Sequence, residues 1–120
     1  MSNYLPELGQ MAFGQPWQPL EPSKLLLAVL EVLSEAWEES RPTEGNPFSN
    51  SGNRFDGNEF SAHAYSWADD EQEFNFKYRD LRVSWYKYLG RGTSCNMKPG
   101  PEFLAEMLGA CLTEIRGESA

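Results

Sequence analysis

The stretch that decides the fold runs from Glu59 to Tyr88: EFSAHAYSWADDEQEFNFKYRDLRVSWYKY. Its apolar residues recur at every second position. Phe60, Ala62 and Ala64 alternate with Ser61, His63, Tyr65 and Trp67. Phe74, Phe76 and Tyr78 alternate with Asn75 and Lys77, and Leu81, Val83 and Trp85 with Arg82, Ser84, Tyr86 and Tyr88. A period of two is that of a strand with one face buried. Asp69-Asp70-Glu71-Gln72-Glu73 reads as an acidic turn between the first two runs, and Arg79-Asp80 as a second turn. Three sequential strands over 59–67, 74–78 and 81–88, joined by short turns, predict an antiparallel meander.

Helical periodicity flanks this core on both sides. From Ser23, a good N-cap after Pro22, the residues Leu26, Val29, Leu30, Leu33 and Trp37 fall on one side at 100° per residue. Pro42 stops that helix near residue 40. At the other end Pro101 suits the first helical position, and Leu104, Met107, Leu108, Cys111, Leu112 and Ile115 form an apolar stripe that Gly117 closes. Gly109 inside this helix costs near 1 kcal/mol, which a close packing contact would justify. Each helix has a single apolar face, so both are expected to cover the same face of the sheet. The predicted fold is a two-layer α+β unit in the order α-β-β-β-α.

The remaining segments read as connections. Residues 41–58 are rich in Asn, Gly, Ser and Pro; within them Asp56-Gly57 signals a turn, so that Phe55 begins a short strand pairing with the next. Gly90-Arg91-Gly92 opens a second loop running to Gly100. Residues 1–22 hold Pro6, Pro16, Pro19 and Pro22 among Tyr4, Phe13 and Trp17, a density of proline that excludes helix. The domain reading is a proline-rich arm over 1–22 and one α+β domain over 23–120.

A chain of 120 residues, 40 % hydrophobic, is one domain with one core. The longest apolar run, Leu25 to Leu30, is far shorter than the roughly 20 residues a bilayer span needs. No signal peptide is evident, and the expected compartment is a reducing one in which Cys95 and Cys111 are free thiols. Two cysteines and one histidine without metal-ligand spacing predict no metal and no cofactor. Phosphate-loop, nucleophile-elbow, zinc-protease and dinucleotide motifs are absent. Cys95 with His63 is a conceivable nucleophilic dyad, but the spacing gives it no support. The expectation is a protein that is not an enzyme.

The net charge of -8 hides an asymmetry. Residues 1–73 carry thirteen acidic and three basic side chains, a net of -10, whereas residues 74–101 carry one acid and six bases, a net of +5. Glu31, Glu35, Glu38 and Glu39 line the polar side of the first helix, and with Asp69, Asp70, Glu71 and Glu73 they are the candidates for an acidic binding surface. Carboxylates near a helix C-terminus oppose its dipole, so these either serve as a solvated face or are kept for a basic partner. On the strand face away from the helices, His63, Tyr65, Trp67, Lys77, Arg82, Tyr86 and Tyr88, with Arg91 beyond, form a basic and aromatic set. Such a face suits single-stranded nucleic acid, although the overall charge repels nucleic acid at long range. It is also what a homodimer interface, or a face covered by the arm, would present.

The run Trp85-Tyr86-Lys87-Tyr88-Leu89-Gly90-Arg91-Gly92, preceded by His63-Ala64-Tyr65-Ser66-Trp67 and Asn75-Phe76, resembles small uncharacterised proteins encoded by bacteriophages and prophages. The resemblance covers about residues 58–98. That family carries no assigned activity, so no functional residue transfers from it. It implies a context: the cytoplasm of a bacterial host and an accessory phage gene. In that context the leading expectation is a non-enzymatic accessory protein that binds a host or phage protein through its acidic surface. A defence complex or nuclease that normally holds DNA is one such partner, with carboxylates standing in for phosphates. The alternatives are a single-stranded nucleic-acid-binding module using the basic, aromatic sheet face, and a virion assembly component. No membrane partner is expected.

Overall fold

A computed structural model describes residues 20–49, 52–68, 71–87 and 92–117. The elements are α1 (Lys24–Ser40), β1 (Asn53–Asp56), β2 (Phe60–Ala68), β3 (Glu71–Tyr78), β4 (Leu81–Lys87), β5 (Thr93–Cys95) and α2 (Pro101–Arg116). The five strands form one antiparallel sheet in the order β1-β2-β3-β4-β5. The α+β class and the sequential meander agree with the sequence. The strand count does not: the sheet has five strands among the described residues, where the predicted fold has a meander of three, β2 to β4.

The alternation places the side chains as read. Phe60, Ala62, Ala64, Phe74, Phe76, Tyr78, Leu81 and Val83 are buried in one core with Leu26, Leu33 and Trp37 of α1 and Leu104, Met107, Cys111 and Ile115 of α2. Both helices therefore cover the same face of the sheet, and they also pack on each other. The ends are capped as the sequence indicates. Ser23 accepts the Leu26 N–H at 3.1 Å, and Gly117 takes the left-handed conformation that closes α2. Cys95 and Cys111 are free and buried.

Three local expectations are corrected. Glu71, Gln72 and Glu73 belong to β3 rather than to a turn: the β2–β3 ladder continues to Ala68 opposite Glu71, past an irregularity near Ser66 and Ala68. Polar side chains conceal the alternation there. The loop after residue 90 contains β5. Its three residues are too short to show a period, and they are held from both sides, by Val83 of β4 and by Leu20, which exchanges both backbone hydrogen bonds with Cys95 at 2.7 and 2.8 Å. Gly109 is exposed, with nothing within 4 Å of where a Cβ would sit, so no close contact explains it. Residues 1–19 of the expected arm lie outside the described residues.

The Asp56-Gly57 turn does form a hairpin, and β1 is the short strand it predicts. Gly57 is set by close approach: a Cβ there would overlap the Glu114 carboxylate and the Phe55 ring, so a larger residue would have to displace them. That carboxylate accepts the backbone N–H groups of Asn58 and Glu59, tying the hairpin to α2. Opposite, the buried Asn46 organises the α1–β1 connection. Its Nδ2 donates to Ser34 O, Ser34 Oγ and Glu38 Oε2, and its Oδ1 accepts the Phe48 N–H at 2.9 Å. Phe48 is thereby set against Phe60, Phe74 and Phe76.

Candidate functional site

The sheet leaves one face uncovered by the helices, and the register arranges its side chains in rows. One row reads Asp56, Ser61, Lys77, Arg82 across β1 to β4. The next reads Arg54, His63, Asn75, Ser84, Ser94 across all five strands. Tyr65 and Glu73 face each other in a third. Side chains of the first two rows line a concavity of about 280 Å³ whose walls include Arg54, His63, Lys77 and Arg82.

A hydrogen-bonded chain runs along its upper side. Tyr65 Oη and Asn75 Nδ2 each donate to the Glu73 carboxylate at 2.8 Å, and Ser84 Oγ donates to Asn75 Oδ1 at 3.1 Å. The His63 ring stacks on Tyr65 with centroids 4.6 Å apart. Arg54 Nε donates to Asp56 Oδ2 at 2.8 Å. Arg82 is held through its backbone: its N–H donates to Asn96 Oδ1 at 2.7 Å, while Asn96 Nδ2 donates to Asp80 O at 2.7 Å. The Asn96 amide thus extends the β5 edge along the start of β4, fixing where the Arg82 side chain leaves the sheet.

The helix layer carries a second candidate. Between α1 and the sheet lies an apolar groove of about 330 Å³ lined by Leu27, Leu30, Phe48, Phe74 and Trp85, with Glu31 on its wall. Leu27, on the lining of the groove, is 41 % exposed, while Leu25 and Val32 are exposed on other sides of α1. An exposed apolar side chain beside an open groove is what a docking surface presents.

The candidate acidic residues do not form one surface. Glu31, Glu35 and Glu39 are exposed on α1, with no ion-pair partner among the described residues. Glu38 is exposed but accepts from Asn46 at 2.9 Å and so belongs to the loop scaffold. Glu73 sits on the opposite side of the molecule, half-buried on the uncovered sheet face and engaged with Tyr65 and Asn75. Glu71 is on β3 with its side chain outside the described residues, as are Asp69 and Asp70 entirely. Of the basic and aromatic set, His63, Tyr65, Lys77 and Arg82 come together as read. Trp67 and Tyr86 lie on their strands without described side chains, and Tyr88 and Arg91 lie outside the described residues. His63 and Cys95 are on opposite faces of the sheet, so they make no dyad.

Asn75 and Ser84 lie on this face by alternation but are not among the sequence candidates, and Arg54 is a member that alternation does not reveal. The signal for Arg54 is the hairpin register, since counting back from Asp56-Gly57 sets it opposite His63. Burial pushes both thiols up, that of Cys111 to about 12, so neither is a nucleophile near neutral pH. Among the described residues, no group of three or more His, Cys, Asp or Glu side chains is placed to hold a metal ion, and no helix is long and apolar enough to cross a membrane. No protein-family model, no curated protein and no solved structure matches the chain.

Proposed function

We propose that the chain is a non-enzymatic accessory protein that docks a host or phage protein on its helix layer, in the cytoplasm of a bacterial host. The observation that carries this reading is the open apolar groove beside α1, with exposed Leu27 at its edge and Glu31, which has no ion-pair partner among the described residues, on its wall. An apolar seat flanked by a carboxylate suits a partner segment with one apolar anchor and a basic neighbour. The anchor supplies most of the affinity through burial, and the charges set orientation and association rate. The phage-like segment of the sequence supports the cellular context.

Capture from bacterial lysate at low salt tests it. A specific protein is retained by the wild type, is released as salt rises, and is lost with Leu27→Asp or Glu31→Arg. An empty capture, or the same proteins on wild type and variants, would contradict the reading.

A further inference from the structure

On the uncovered sheet face, Lys77 and Arg82 stand directly opposite one another across β3 and β4. Both are exposed, and neither has a carboxylate within ion-pair distance among the described residues. Like charges directly opposite on a sheet are destabilising. The neighbours in the row do not relieve this. Ser61 is uncharged, and the one carboxylate of the row, Asp56, is taken by Arg54 at 2.8 Å. Meanwhile Asn96 clamps the Arg82 backbone, which fixes the point at which that side chain leaves the sheet opposite Lys77. An anion between the two side chains is the arrangement that turns this repulsion into attraction.

The surroundings say which anion. Ser61 adds a hydroxyl donor to the concavity over the pair, while the Ser84 hydroxyl is already donated to Asn75 Oδ1. One row away, two residues along the strand or about 6.6 Å, His63 stacks on Tyr65, and the Tyr65 hydroxyl is anchored on Glu73. A fixed pair of rings beside a paired cation is the combination that seats a base and the phosphate next to it.

We propose that this face binds single-stranded nucleic acid, a phosphodiester lying between Lys77 and Arg82 and a base stacking on the His63–Tyr65 pair. The site lies on the opposite side of the sheet from the α1 groove and does not depend on it. The overall charge of -8 makes association slow and the footprint short. Only the two or three cations of this face meet phosphates, so the logarithm of affinity falls against the logarithm of salt with a slope of about -1.5 to -2.

Fluorescence anisotropy of short labelled single-stranded DNA and RNA, titrated with the full chain at low salt, tests this. Binding is expected to both. Arg82→Glu should weaken it by about tenfold or more, because one phosphate contact is lost and a repulsive one gained. The same substitution sets Glu opposite Lys77, so it should raise the thermal midpoint by roughly 2–5 °C. Lys77→Gln is the milder companion, expected to reduce the salt slope by about 0.7 while leaving the fold intact. Tyr65→Ala should weaken binding without changing the salt slope. No binding by the wild type, or binding that Arg82→Glu and Lys77→Gln leave unchanged, would overturn the proposal.

Discussion

The Arg41 guanidinium donates from Nε to the Ile115 carbonyl at 2.8 Å, across 74 positions of sequence. Arg41 is also the C-cap residue of α1, its own N–H donating to Trp37 O, while its Nη2 reaches Glu114 O at 3.2 Å. One cation therefore sits at the C-terminal ends of both helices, where its charge is favourable. The guanidinium lies 4.8 Å from the Trp37 ring centroid and 5.4 Å from that of Phe55, which shields these bonds from water. It counters the dipole opposition of Glu38 and Glu39 at the end of α1.

Arg41→Ala should therefore lower stability by about 2–3 kcal/mol, the range for hydrogen bonds made by a charged group plus lost stacking. Denaturant unfolding would show this as a lower midpoint at unchanged slope. A loss below about 0.5 kcal/mol would mean the helix ends are held by packing alone.

Tyr78 lies in the core with its ring edge-on to Phe103, and its Oη has no hydrogen-bond partner among the described residues. A buried hydroxyl without a partner costs about 1–3 kcal/mol. Tyr78→Phe keeps the ring and removes that cost, so it should leave the protein as stable or stabilise it by about 1 kcal/mol. A clear loss of stability would show that the hydroxyl is satisfied in solution.

Gly109 is an exposed helix-interior glycine with open space where a side chain would sit. Gly109→Ala should stabilise the protein by roughly 1 kcal/mol. Thermal unfolding read by circular dichroism is sufficient. A lower midpoint would indicate that the backbone at 109 meets something that an added methyl displaces.

Alkaline pH should destabilise the fold. Burial pushes the Cys111 thiol from an ordinary 9.0 to about 12, with Glu114 and Glu59 adding to the shift, and burial raises Tyr78 and Cys95 in the same direction. All three are neutral when protonated. The unfolded chain therefore loses these protons first, and the folded state is progressively disfavoured as pH rises through that window. The urea midpoint should be flat around neutral pH and fall from about 9 towards about 12. Cys111→Ala should make that fall shallower. An unchanged slope in the variant would assign the alkaline loss to other groups.

Much of the fold was legible because its signals are local. Phe60, Phe74, Phe76 and Val83 show the inward face by alternation alone, and Ser23, Pro101 and Gly117 mark the helix ends. β5 was not legible because Thr93–Cys95 becomes a strand only through partners on β4 and at Leu20. The Asn46 and Arg41 networks join loops to helix ends far along the chain, and no periodicity announces such bonds. Of the candidate sites, Lys77 and Arg82 were legible as one face. Their direct opposition follows from the two-residue Arg79-Asp80 turn, where Arg79 adopts a positive φ of 53°. The single acidic surface was not recoverable from composition. Glu73 and the α1 glutamates are close in charge arithmetic but sit on opposite sides of the sheet.

The most direct test of the central claim, that a partner protein docks on the helix layer, is quantitative capture from bacterial lysate at low salt. Wild type, Leu27→Asp and Arg82→Glu would be compared side by side by mass spectrometry. The expected result is a protein partner held by wild type and by Arg82→Glu but absent from Leu27→Asp. The same protein on all three, or its loss only with Arg82→Glu, would contradict docking on the α1 groove.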